Sequence, residues 1–448
     1  MHRLPITPPV HCPAWTERLS PAAGASAGGT GPPTFGRVGL DSRRRPTRDL
    51  LTSGSMNRIS NRIGSIAPSA TMAVSALAQQ MREAGHDVIS FGPGEPDFPT
   101  PDHIVAAAAK ACGDVRNHRY TATPGLADLR EAVTDATNAN SGVKVSPSQV
   151  LVTNGGKHAV FAACATLLDP GDEVIVPAPY WVSYPWTIQL AGGVAVPVLA
   201  DQTTGFQVTI EQLDRVVTKR TKALIFVSPS NPTGAVYSPE MVRELAAWAS
   251  ERNIWVIADE IYEHFVYDGA EFSSIAASMD DRWVIVNGVA KAYAMPGWRV
   301  GWMVGPPDVI KAAGGLQSHS TSNVCNIAQH AALAALTGPQ DSVTLMREAF
   351  DRRRRALYEA LSNVNGMECI IPQGAFYAFP DCSGLLGRSL GGRTVTNTIE
   401  LATAILEDIK VAIVPGEAFG APGFVRFSYA LSDHDLARGA RRLADFLG

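Results

Sequence analysis

The sequence predicts an α/β protein: a large domain on a mostly parallel sheet flanked by helices, joined to a smaller α+β domain. Three observations carry that prediction. Between Val150 and Val304, short and almost wholly apolar runs alternate with helical patterns: Gln149–Val152, Glu173–Val176, Ala223–Val227, Ile254–Ala258 and Trp283–Val286. Strands that are apolar on both faces are buried on both, as in a parallel sheet covered by helices. Each run also ends in a polar or glycine-rich turn, and such sheets bind ligands beyond their C-terminal strand ends. Finally, 448 residues exceed what one core usually fills.

Along the chain, residues 1–55 are rich in Pro, Gly, Ala, Ser and Arg and poor in apolar clusters, so a disordered N-terminal extension is expected. Its Ser42-Arg43-Arg44-Arg45 is similar to a twin-arginine export signal, but no apolar h-region follows. An Arg-rich, acid-poor transit peptide is a second reading. A third is translation from Met56, where ordered-looking sequence begins. Residues 56–100 are assigned to the smaller domain, 101–340 to the larger, and 341–448 to the smaller again. The last segment predicts a helix over Ser342–Ser362, strands near Phe376–Phe379 and Phe424–Phe427, and a helix over Asp433–Leu447. The run Arg352–Arg355 is expected to be a solvated helix face. No internal repeat is visible.

Composition narrows the function. Hydrophobic residues are 46% and charged residues 18%, a globular balance. A formal charge of -4 gives no pull toward nucleic acid or an anionic membrane. No apolar run is long enough to span a bilayer. Cys12, Cys112, Cys164, Cys325, Cys369 and Cys382 are scattered with no CxxC pair, which argues against disulfides and against a metal site and suits a reducing, cytoplasmic setting.

Four stretches carry chemistry. Residues 287–301 read NGVAKAYAMPGWRVG and follow a strand. Lys291 lies there in a small-residue turn, where desolvation and a nearby cation lower an amine's pKa and leave it free to form a Schiff base. Arg299 follows beside glycines that let backbone approach an anion. Asp259 ends an apolar strand, where a carboxylate needs either a cationic partner or a helix to cap, and Tyr262 follows it. Asn231 lies in Ser228–Gly234, which turn chemistry alone would explain. Gly155, Gly156 and Lys157 open a helix after a strand, and N–H groups at a helix start form an anion site. Trp181 follows the next strand, as a core tryptophan would. Arg426 sits in a short strand, where its planar fork suits a carboxylate.

Together these stretches resemble the pyridoxal-5'-phosphate (PLP) attachment region of fold type I enzymes, over about Arg58 to Gly448. The resemblance makes the larger domain PLP-binding, in an aspartate aminotransferase-like fold. It implies that Lys291 carries the cofactor and is the catalytic base and acid. It further implies that Asp259 pairs with the ring nitrogen, Tyr262 and Asn231 with the ring oxygen, and that Trp181 stacks on the ring. Gly155, Gly156, Lys157 and Arg299 would hold the phosphate. Arg426 would take the substrate α-carboxylate, with Gly94, Asn231 and Trp181 beside it.

The motifs Pro68–Thr71, Gly94–Phe98, Gly155–Lys157, Pro179–Tyr184 and Gly374–Tyr377 are similar to the bacterial-type (Iβ) aspartate aminotransferases, some of which also convert prephenate to arogenate. In that subgroup, residues matching Thr71 and Lys157 recognise the second carboxylate of the substrate. Sites are shared across a homodimer: Tyr120 would reach the partner's cofactor phosphate, and Ser322 and Asn323 the partner's substrate pocket. Pro296 departs from the usual threonine, and His158 from the usual glutamine. The expected substrates are amino acids and 2-oxo acids: aspartate with 2-oxoglutarate, and prephenate in some relatives. The competing readings are an aromatic or alanine-type aminotransferase, a PLP lyase, and, from another class, a PLP-sensing transcription regulator. For the regulator, the N-terminal tail is too short and too poor in helical pattern to supply the DNA-binding module.

Overall fold

The computed structural model describes residues 58–66 and 70–448, and Arg58–Gly448 hold together as one unit. The expected extension over residues 1–55, Cys12, and Pro68 with Ser69 lie outside the described residues.

A seven-stranded sheet forms the centre. Its strands are β1 (Val150–Thr153), β2 (Glu173–Ala178), β3 (Val194–Leu199), β4 (Thr221–Val227), β5 (Trp255–Asp259), β6 (Trp283–Gly288) and β7 (Gly301–Val304). The spatial order is β1-β7-β6-β5-β4-β2-β3. β7 runs antiparallel to both β1 and β6, and the remaining pairs are parallel.

The apolar runs behave as parallel-sheet strands should. In β1, Leu151 points into one core and Val150 and Val152 into another. In β4 and β5, Ile225 and Ile257 join Leu151, while Leu224, Phe226 and Val256 face the opposite side. The helices Gly156–Leu167 and Pro307–Ser320 cover the first face. Pro239–Glu251 lies over the second.

Two strands are not among those the runs predict. β3 contains Pro197, which reads against a strand and is tolerated because β3 is the sheet edge. β7 is only four residues long and directly follows the lysine motif.

Another core gathers around the C-terminal elements. Phe350, Phe376, Tyr377, Phe427, Tyr429, Leu436 and Leu443 pack there with Ile89 and Phe91. Val425–Ser428 pairs antiparallel with Val414–Pro415 and with Tyr377–Ala378. The helices Asp341–Ser362 and Asp433–Leu447 match the expected ones closely.

The basic run on the first of these helices is a solvated face only in part: Arg352 and Arg355 are exposed, but the two arginines between them are not. Arg353 and Arg354 are 7% and 0% exposed. Arg353 bridges Asp97 (2.8 Å) and Asp433 (2.7 Å) and lies over the Phe98 ring. Arg354 pairs with Asp268 at 2.7 Å and donates to the Pro372 carbonyl. Arg354 also pairs with Asp351 on its own helix, but the other carboxylates that make this burial tolerable come from distant segments, which sequence spacing does not display.

Two glycines let β6 and β7 approach their neighbours. A Cβ on Gly301 would stand 2.5 Å from the Gly156 nitrogen, and one on Gly288 2.8 Å from the Gly301 Cα. Backbone cannot yield as a flexible side chain does. Gly301→Ala is therefore expected to lower stability by about 1–3 kcal/mol, read as a lower urea midpoint. An unchanged midpoint would show that the strands separate freely.

Candidate active site

The sheet direction assembles the site. β1, β4, β5 and β6 all point the same way. They deliver Asn154–Lys157, Ser228–Asn231, Asp259 and Lys291 to one edge. β7 begins at that edge because it is reversed, so Arg299, two residues before it, arrives there too. Arg299 adopts φ 55°, uncommon outside glycine.

One corner suits an anion. The helix Gly156–Leu167 starts behind Gly155, whose φ is 82°. The Arg299 guanidinium lies against the bare face of Gly155, where a Cβ would be 2.6 Å from Nη2. Its own donors reach only neutral carbonyls, Pro296 at 2.8 Å and Asn154 at 3.4 Å. Lys157 Nζ stands 5.1 Å from the Trp181 ring centroid. Burial, and then the charge of Arg299, push the Lys157 amine below its ordinary value. Among the described residues neither cation has a carboxylate partner. Two cations and a helix start without an anion fit a phosphate.

A second corner suits a cation. Asp259 is 8% exposed. Tyr184 donates to its Oδ2 at 2.8 Å, and the Ile261 N–H to its Oδ1 at 3.3 Å. Burial raises its pKa despite those donors, so a positively charged ring nitrogen would complete it. Nearby, Tyr262 and Tyr377 share a hydrogen bond of 2.8 Å between their hydroxyls.

Lys291 lies between the two corners. Its Nζ donates to the Gly94 carbonyl and stands 5.9 Å from the Tyr262 and Phe376 ring centroids. Burial lowers its pKa to about 8, against an opposing pull from Glu95 and with help from Arg426. An amine so placed is a nucleophile near neutral pH.

Arg426 faces a third demand. It is 2% exposed. Nη1 donates to Asn231 Oδ1 (3.0 Å) and Nη2 to the Gly92 carbonyl (2.6 Å), while the buried Nε has no partner. The guanidinium lies 4.6 Å from the Tyr377 ring centroid. Gly94 leaves room here, since a Cβ on it would be 2.9 Å from the Tyr377 hydroxyl. A buried cation with neutral partners and a spare donor fits a carboxylate.

The structure thus brings together Gly94, Gly155, Gly156, Lys157, Trp181, Asn231, Asp259, Tyr262, Lys291, Arg299 and Arg426. Thr71 is half-buried in the helix Ala70–Glu83, where its carbonyl accepts from Ser75 Oγ at 3.0 Å. Tyr120, Ser322 and Asn323 make none of the contacts above and gather in a separate loop cluster. Asn326 ties it together by donating to the carbonyls of Asn117 and Arg119 and accepting from Thr121 and Asn323. Tyr120 is 89% exposed. Of the two departures, Pro296 opens a short turn and lends its carbonyl to Arg299, and His158 accepts from the Asn154 N–H at 3.2 Å. Tyr184 and Tyr377 bond directly to expected site residues. Each ends a motif that resembles the family, but nothing in the sequence signals its polar contact.

Behind β5 and β6 lies a cavity of about 20 Å³, lined in part by Glu260, Glu263, His264 and Asn287. Ser274 donates to Glu260, and Asn287 to Glu263 at 2.9 Å. Burial, then the neighbouring Glu263, push the Glu260 carboxyl up to about 8. No group of three or more His, Cys, Asp or Glu side chains arranged for a metal ion occurs among the described residues, nor a helix long and apolar enough to cross a membrane.

The class I and II aminotransferase family model matches residues 86–443. The aspartate aminotransferase of Streptomyces avermitilis is 55% identical over 393 residues, 87% of this chain and 96% of the relative. The aspartate/prephenate aminotransferase of Cereibacter sphaeroides is 45% identical, over 87% of this chain and 98% of its own length. The Thermus thermophilus aspartate aminotransferase, solved with maleate, superposes with a TM-score of 0.82 at 42% identity, covering 87% and 100% of the two chains.

Glu260 binds its proton more tightly folded than unfolded. Between its unfolded value near 4.5 and about 8 the folded state holds the extra proton, so stability falls as pH rises through that window. Glu260→Gln is expected to flatten that decline, which is at most about 1.4 kcal/mol per pH unit. Urea midpoints of both proteins at pH 5 and pH 8 measure it. Parallel pH profiles would contradict the raised carboxyl.

Proposed function

The chain belongs to the class I and II aminotransferase family, and we propose that it is a PLP-dependent aspartate aminotransferase moving the amino group between aspartate and 2-oxoglutarate. The observation that carries this reading is the meeting of Lys291, Asp259 and Arg426 at one sheet edge, with Arg426 Nε unpaired. Prephenate is a second proposed acceptor, supported by the relative named for both activities. Maleate in the Thermus enzyme is a dicarboxylate, which supports Lys157 and Thr71 as the group that recognises a second carboxylate.

When bound, PLP supplies an aldehyde and an electron-withdrawing ring that weakens the substrate Cα–H bond. Gly155, Gly156, Lys157 and Arg299 hold its phosphate, and Asp259 keeps a proton on the ring nitrogen. Tyr262 and Asn231 meet the ring oxygen, and Trp181 covers the ring face. Arg426 grips the α-carboxylate beside Gly94, Asn231 and Trp181, which fixes where the Cα–H bond points. Lys291, neutral in part near pH 8, would take that proton on Nζ as the base and, once protonated, would serve as the acid of the same half-reaction. The Gly94 carbonyl, which accepts from Nζ, keeps the amine aimed.

We further propose a homodimer in which Tyr120, Ser322 and Asn323 complete the partner's site. The exposure of Tyr120 and the shared loop cluster support it. A cytoplasmic setting belongs to the same reading, supported by free thiols at Cys112, Cys164, Cys325, Cys369 and Cys382.

Lys291→Ala should lower transfer from aspartate to 2-oxoglutarate by about 10²–10⁴-fold or more, in a coupled assay of oxaloacetate release. Near wild-type turnover would overturn the assignment of Lys291. Lys157→Ala should raise KM for 2-oxoglutarate about tenfold, the loss of one charge-assisted contact. Measured at saturating PLP, because Lys157 also meets the phosphate, the KM for pyruvate, which lacks the second carboxylate, should be spared; equal losses for both acceptors would then contradict a role for Lys157 in recognising it.

A further inference from the structure

Tyr184 is 1% exposed and opens the helix Tyr184–Leu190. Its hydroxyl donates to Asp259 Oδ2 at 2.8 Å. Its ring stands edge-on to Trp181, centroids 5.3 Å apart at 83°. One buried side chain therefore contacts both residues read above as meeting the cofactor ring, one at its nitrogen and one at its face.

We propose that Tyr184 is a positioning residue for the nitrogen pole of the cofactor, fixing the rotation of the Asp259 carboxylate and keeping it anionic. The proposal rests on the reading that Asp259 pairs with the ring nitrogen.

The physical case has three parts. A carboxylate at a strand end can turn about its last bond. With Oδ1 held only by the Ile261 N–H at 3.3 Å, the shorter bond from Tyr184 sets the plane. Burial also favours the neutral acid, and a neutral Asp259 could not pair with a protonated nitrogen; a donor on Oδ2 opposes that loss. Finally, burial holds the Tyr184 hydroxyl well above its ordinary pKa, so it remains a donor across the working range. The aromatic contact adds orientation, because edge-on pairs have a preferred geometry.

The test is PLP affinity in a double-mutant cycle: wild type, Tyr184→Phe, Asp259→Asn and the double variant, each stripped and titrated with PLP. Tyr184→Phe keeps the ring and loses only the hydroxyl. It is expected to weaken PLP binding about tenfold, the worth of one hydrogen bond to a charged group. It should also move the midpoint pH of the bound cofactor's visible absorption by about one unit. In the Asp259→Asn background, Tyr184→Phe should change affinity less than about twofold, since the partner it acts through is gone. Tyr184→His, which keeps an N–H donor, should recover part of the loss and reads the same effect if the phenylalanine variant does not fold. A loss from Tyr184→Phe that is equal in both backgrounds would overturn the proposal, as would a lower melting point with unchanged PLP affinity and spectrum. Asp259→Asn binding PLP like wild type would instead overturn the reading of Asp259, and this proposal with it.

Discussion

The burial of Arg426 among neutral partners is the constraint on which the site depends. Its guanidinium is held by Asn231 from the loop after β4, by the Gly92 carbonyl from the N-terminal segment, and by the Tyr377 ring from the C-terminal core. Three stretches far apart in sequence thus converge on one cation, and none supplies a carboxylate. A charge out of water is tolerated poorly unless an anion completes it. The chain accepts that cost at a point where a substrate carboxylate would relieve it.

The same logic recurs around Lys291 with the signs rearranged. Among the described residues Asp259 is a buried carboxylate with hydrogen-bond donors but no cation at ion-pair distance, Lys291 acting on it only from farther away, and Lys157 with Arg299 are cations with no carboxylate partner. Desolvation lowers the Lys291 amine to about 8 because it shares this low-dielectric space. Tyr377 joins two of these demands: its hydroxyl meets Tyr262, and its ring lies under Arg426. Pre-set, unfilled charges at one sheet edge are what a ligand with a phosphate, a ring nitrogen and a carboxylate partner would fill.

Much of this was legible in the sequence, for identifiable reasons. The doubly buried strands announce themselves as continuous apolar runs, so β1, β2, β4, β5 and β6 were readable. Lys291, Asp259 and Arg299 stood out because charged residues at strand ends or among small residues need a purpose. What the sequence hid is tertiary. Pro197 disguised the edge strand β3, and β7 was too short to show a period. The run Arg352–Arg355 looked solvated because, apart from Asp351 on the same helix, the carboxylates that neutralise Arg353 and Arg354 come from Asp97, Asp268 and Asp433. Tyr184 and Tyr377 closed family-like motifs without a role of their own, because a hydroxyl's partner is invisible until the chain folds.

The account stands on Lys291 as the amine that bonds the cofactor. Incubating the protein with PLP, reducing with borohydride, digesting and mapping the added mass by mass spectrometry tests it most directly. The modification is expected on the peptide carrying Lys291, in near-stoichiometric yield, and is expected to vanish from the Lys291→Ala protein. Labelling centred on Lys157, the other amine of the site, or labelling spread over surface lysines, would contradict the account.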